Sequence, residues 1–172
     1  MRKTKLSVLF VVGMMLLGMV LSGCGGTVSS TVDTAKVEKT VLSAMNKALG
    51  TEFSNNESLR GNTNIIWNHV DQAGKISVAY SWYSGNSTDG KSWIAEPMID
   101  TNSFDTDAKF QMIAITAEQL KNYENPSDEL LAQIKKNIAP TNSSTEISSI
   151  CVTARNIGGK VYVVYVRELQ SK

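Results

Sequence analysis

The stretch Gly85-Asn86-Ser87-Thr88-Asp89-Gly90-Lys91-Ser92 matches the phosphate-binding pattern G-x-x-x-x-G-K-[ST] letter for letter. That chemistry needs a helix beginning at the lysine, so that its amides and dipole hold the phosphates. Here Lys91 is followed by Ser92-Trp93-Ile94-Ala95-Glu96-Pro97, and a proline so close to the start is incompatible with such a helix. The stretch is therefore expected to be a hairpin turn closing at Asp89-Gly90, and nucleotide is not expected as a ligand. His69 is the single histidine. A Ser-His-Asp or Cys-His enzyme would have to use it, yet neither a nucleophile elbow nor a cysteine–histidine signature accompanies it. One histidine also argues against a multi-histidine zinc site. Asp100, Asn102, Asp105 and Asp107 are oxygen ligands of the kind calcium takes. Their spacing fails the calcium-loop pattern, because Phe104 falls where a ligand belongs and no closing glutamate follows. Glu96 with Asp100 could form a glycan-cleaving carboxylate pair, and such pairs need no fixed spacing. Aromatics gather in one region: Trp67, Tyr80, Trp82, Tyr83 and Trp93. Aromatic rings on an exposed sheet face stack on sugars or anchor a protein partner. Trp82 is expected in the core, and Tyr83 with Trp93 is the expected binding pair.

A second constellation lies at the start of the chain. Met1-Arg2-Lys3-Thr4-Lys5 is followed by an uncharged, mostly apolar run from Leu6 to Leu21, then by small residues. This is the layout of a secretory signal peptide, and the run is short of the ~20 residues of a spanning helix. Its end, Leu21-Ser22-Gly23-Cys24, resembles the lipobox of bacterial lipoproteins. The resemblance is confined to residues 1–24. It implies that Cys24 receives a diacylglyceryl group and becomes the first residue of the mature protein. It also implies that Gly25, in place of aspartate, permits transfer to the outer membrane of a double-membraned cell. Each buried methylene contributes about 0.8 kcal/mol, so two or more acyl chains hold a protein where one does so only reversibly. Gly25 to Thr31 is a short polar tether with a reach of about 15 Å.

The expected organisation is thus a signal peptide over residues 1–23, the lipidated cysteine and tether over 24–31, and one domain over 32–172. About 150 residues can bury a core without staples. Loss of Arg2, Lys3 and Lys5 turns the formal charge of +1 into about −2, so nucleic acid is not an expected partner. With Cys24 lipidated, Cys151 has no partner and should be a buried thiol acting as a small hydrophobe.

The hydrophobic spacing predicts elements to carry these residues. Val37, Val41, Met45 and Ala48/Leu49 recur at helical period, with Asp33 or Thr34 able to cap and Gly50 after the end. Glu52 to Asn62 reads as a loop and Asn64 to Val70 as a strand. Lys75 to Tyr83 alternates, with Ile76, Val78, Tyr80 and Trp82 on its buried face. Ser92 to Met98 reads as a strand that Pro97 ends or places at an edge. Asp100 to Asp107 reads as a polar loop and Phe110 to Ile115 as a central strand. Thr116 and Gln119 have capping-box spacing. Asn125-Pro126 reads as the start of a second principal helix, capped by Asn125 and reaching Ile138 before Pro140 stops it. Ile147 to Arg155 and Lys160 to Glu168 form a closing hairpin, and its Val161–Val166 run, apolar on both faces, should be covered on both. No internal repeat is apparent. The sum is an α+β domain: a mainly antiparallel sheet of five or six strands with two principal helices on one face.

These observations lead to the expectation of a non-enzymatic, extracytoplasmic binding module. Lipid through acylated Cys24 would hold it at the cell or outer membrane, and an envelope protein or glycan would be its partner. An assembly accessory of an envelope complex and a carboxylate-based glycan-active enzyme are the alternatives. No cofactor is expected.

Overall fold

The closing hairpin organises the computed structural model, which describes residues 32–87 and 89–172. Cys24, the stretches expected to be a signal peptide and a tether, and Thr88 lie outside the described residues. β6 (Thr145–Ile157) and β7 (Lys160–Ser171) pair antiparallel around Gly158-Gly159. β3 (Ser92–Pro97) pairs with the other side of β7, and β2 (Tyr83–Asn86) pairs with β3, giving a four-stranded antiparallel sheet in the order β2-β3-β7-β6. Alternation along β7 sends Val161, Val163 and Tyr165 to one face and Tyr162, Val164 and Val166 to the other, and all six are buried. A run apolar on both faces belongs in the middle of a fold covered on both sides.

On the first face lie α1 (Thr34–Leu49), α3 (Ala117–Glu124) and α4 (Asp128–Ile138). Val37, Val41 and Met45 of α1 and Leu130, Ile134 and Ile138 of α4 share a core with Ile150, Val152 and Val163 of the hairpin. The Asp33 carboxylate accepts the Ala35 N–H at the start of α1, and Gly50 closes its end at φ 71°. Thr116 and Gln119 form the expected capping box of α3. α4 departs from expectation: Asn125 ends α3, its N–H donating to the Lys121 carbonyl, and Ser127 caps α4 by accepting the Leu130 N–H. Pro126 then lies between the two helices instead of in a first turn. Arg167 of β7 ties the end of α4 to the sheet. Its guanidinium donates to the Ile138 and Ala139 carbonyls at 2.7 and 3.2 Å and pairs with Glu96 of β3 at 2.8 Å.

The second face is covered by pieces the sequence pattern misassigns. The polar stretch read as a loop contains a 3₁₀ helix over Glu57–Thr63, and the expected strand Asn64–Val70 is instead a short helix, α2 (Asn64–Trp67), followed by a turn. Consecutive apolar residues fit either element. Here Ile66 and Trp67 drop into a core with Leu59, Ile76, Trp93, Cys151 and Val164. Cys151 is buried as expected, and burial pushes its thiol up to about 11. The remaining strands form a second antiparallel sheet, β1-β5-β4, where one sheet of five or six was expected. These are β1 (Lys75–Ser77), β4 (Ile99–Phe104) and β5 (Lys109–Met112). β5 is central in it. The polar stretch from Asp100 is largely the edge strand β4, whose outer positions face solvent.

A local repeat, unseen in the sequence, builds this small sheet. Asp71–Lys75 and Asp105–Lys109 form two turns of the same geometry. Each aspartate accepts the backbone N–H of the residue two ahead and of the lysine four ahead, Ala73 and Lys75 for Asp71, Asp107 and Lys109 for Asp105. Each also meets the other turn's lysine at 3.0 Å, Lys109 with Asp71 and Lys75 with Asp105. The fourth residue takes a positive φ in both turns, Gly74 at 72° and Ala108 at 56°. The Met112 N–H donates to the Gly74 carbonyl and the Val78 N–H to the Ala108 carbonyl, so a local two-fold axis relates the turns.

Candidate functional site: an exposed aromatic surface

β1 ends at Ser77 because its partner begins at Lys109, directly opposite. Beyond Ser77 the chain turns into a 3₁₀ helix over Val78–Tyr80. The Ser77 hydroxyl accepts the Ala79 N–H and the Ser81 hydroxyl donates to the Val78 carbonyl. The alternation expected to bury Val78, Tyr80 and Trp82 stops there. These side chains are 43%, 39% and 45% exposed, and Tyr83, which opens β2, is 46% exposed, whereas Ser81, expected on the polar face, is buried. Serines at both ends of Ser77-Val78-Ala79-Tyr80-Ser81 are the signal that could have revealed the turn.

Two ring contacts hold the surface in shape. The His69 imidazole stacks on the Tyr80 ring with centroids 3.5 Å apart and planes within 4°. His69 therefore joins this surface from the turn after α2, not from the expected strand. Tyr83 stacks on Trp93 at 6.1 Å and 22°. The pair expected from sequence is brought together with unequal exposure: Tyr83 is open, while Trp93 is 9% exposed. Gly85, paired with Trp93 across the sheet, leaves room for the indole, because a Cβ there would sit 2.4 Å from the ring. Trp93 supports the surface and Tyr83, Trp82, Tyr80 and Val78 present it. Sequence reasoning missed the last three. Phe104, 55% exposed, packs on Phe110 in the other sheet.

The other candidate residues have structural partners. Lys91 pairs with Asp89 at 2.9 Å and with Glu168 at 3.5 Å, and the residues after it form β3, so no helix starts at the lysine. Burial would raise the Glu168 carboxyl, but the Ser148, Ser87 and Ser149 hydroxyls and the Lys91 charge bring it below the usual carboxylate range. Glu96 is tied to Arg167. Asp100 accepts the Asn102 N–H and the Ser103 hydroxyl. The Lys75 ammonium holds the Asp105 carboxyl below its ordinary value. Among the described residues no three His, Cys, Asp or Glu side chains converge as a metal site. A shallow open depression of about 520 Å³ lies at the end of α1, lined by Ser43, Asn46, Lys47, Gly50, Thr51 and Glu52. Asn46 is engaged there by Thr51 and Phe53.

Among the described residues, four α-helices and two antiparallel sheets define an α+β protein. No protein-family model, curated protein or solved structure matches the chain.

Proposed function

We propose that this chain is an extracytoplasmic lipoprotein, anchored through acylated Cys24, whose folded part binds an envelope or extracellular partner. Val78, Tyr80, Trp82 and Tyr83 form the contact surface. The observation that carries the binding role is that four large apolar side chains within the span Val78–Tyr83 stay open on a domain that buries both faces of its central strand. Flat aromatic rings with few rotatable bonds lose little entropy when a partner covers them. The anchor rests on the order of charge, apolar run and Leu21-Ser22-Gly23-Cys24 in the sequence.

The test is co-sedimentation with isolated cell envelopes of a purified soluble form beginning at Thr27, which lacks the acylated cysteine, comparing its wild-type sequence with Trp82→Ala/Tyr83→Ala. The expected result is loss of at least tenfold in retention by the double variant with its unfolding midpoint unchanged. Equal retention of both proteins would refute this contact surface.

A further inference from the structure

The two outer edges of the four-stranded sheet are treated oppositely. Along β6, successive outward backbone groups are closed by the chain itself. The Asn56 N–H donates to the Ile150 carbonyl, the Asn55 amide exchanges two bonds with the Val152 backbone, and the Ala154 N–H donates to the Glu38 carboxylate. Arg60 in turn fixes Glu38 with a bidentate contact. Proteins close sheet edges in this way because an open row of N–H and C=O groups templates another strand.

Among the described residues, none closes the outer edge of β2 in this way. The Ser87 N–H donates to the Lys91 carbonyl, so Ser87 and Lys91 are a hydrogen-bonded pair. Alternation along an antiparallel ladder then directs the backbone groups of Gly85 and Tyr83 toward β3, and those of Ser84 and Asn86 outward. Ser84 and Asn86 are exposed. β2 is short, Tyr83–Asn86, but it carries neither of the chemical guards of an edge, a charge or a proline, and its flanks from Ile76 to Thr88 carry none either.

We propose that the β2 edge pairs antiparallel with the β2 edge of a second copy of this chain, joining two four-stranded sheets into one across a two-fold axis. An isologous contact sets residue i of one copy against j of the other and j against i, so a charge on a short edge beside the axis would lie close to its own copy and repel it. This edge has no charge to repel with, and it offers the donors and acceptors that an identical strand supplies in return. Pairing would also set two aromatic surfaces side by side, and a bivalent surface gains avidity toward a repeating partner. The pairing goes beyond the proposed function, and its test is separate from that of the aromatic surface.

The test is sedimentation equilibrium of the full chain in a density-matched neutral detergent. Wild type should sediment as two chains. Ser84→Pro removes one outward N–H without touching the β2–β3 ladder, and Asn86→Lys places a charge on the edge. Each should sediment as one chain, with the circular dichroism of the wild type. Should the proline variant fail to fold, Asn86→Lys decides. A single-chain mass for wild type up to its solubility limit would overturn the proposal. So would a two-chain mass that survives Asn86→Lys, or one abolished by Trp82→Ala but not by the edge variants.

Discussion

The paired turns of the small sheet set up an experiment in which the same exchange, run in opposite directions, should change stability with opposite sign. Ala108 sits at φ 56°. A residue with a Cβ loses about 1–2 kcal/mol in the left-handed region, while alanine gains about 0.4–1 kcal/mol over glycine through the stiffer unfolded chain. Ala108→Gly should therefore stabilise the protein by about 0.5–1 kcal/mol. Gly74→Ala reverses that balance at φ 72° and adds an overlap, since its Cβ would lie 2.2 Å from the Tyr162 ring. Tyr162 is 1% exposed and has nowhere to retreat. Overpacking of this kind costs about 1–3 kcal/mol, so the total should be about 2–4 kcal/mol. Gly90 is the control, with φ 81° and nothing within 4 Å of the added carbon. Gly90→Ala should cost about 0.5–1 kcal/mol from the backbone alone. Urea unfolding of the three variants reads all of this. A destabilised Ala108→Gly, or a Gly74→Ala no worse than Gly90→Ala, would refute the reasoning.

Val164→Asp places an unpaired carboxylate at a site with no exposure. It should cost several kcal/mol and unfold the domain, whereas Val78→Asp should stay within about 0.5 kcal/mol in the same urea titration. Asn55→Ala uncovers the Val152 backbone and should cost about 1–3 kcal/mol, with light scattering rising on storage as the β6 edge opens. Glu168 is held below its unfolded value, so its contribution is present above the unfolded carboxylate range and lost as pH falls through the folded value. Thermal midpoints measured from pH 6 downward should therefore fall less steeply for Glu168→Gln than for wild type; parallel curves would count against it. Lys91→Ala removes the cation beside the Glu168 carboxylate and should lower the urea midpoint slightly, with no difference in nucleotide binding by calorimetry.

Much of the fold is legible where one signal dominates. The stripe and caps of α1, the Thr116 box and the apolar run of β7 each reflect local spacing that tertiary contacts reinforce. The class α+β follows from them. The misses occur where two signals compete. Ile65-Ile66-Trp67 fits a strand by propensity, but a helical turn puts Ile66 and Trp67 into one core together. The alternation from Ile76 to Trp82 ends when its partner strand runs out, a fact residing in Lys109 and not in the local sequence. That ending turns Trp82 from an expected core residue into an exposed one and enlarges the candidate surface around Tyr83. The turn pattern of aspartate, glycine or alanine, then lysine was present at Asp71 and Asp105, but its two-fold pairing depends on register that no single turn encodes.

The proposed localisation depends on the anchor, and mass spectrometry of the mature amino terminus tests it most directly. The expected peptide begins at Cys24 and carries the mass of a diacylglyceryl group, and Cys24→Ala should release the protein from membranes. An unmodified Cys24, or a mature terminus upstream of it, would contradict the lipoprotein reading.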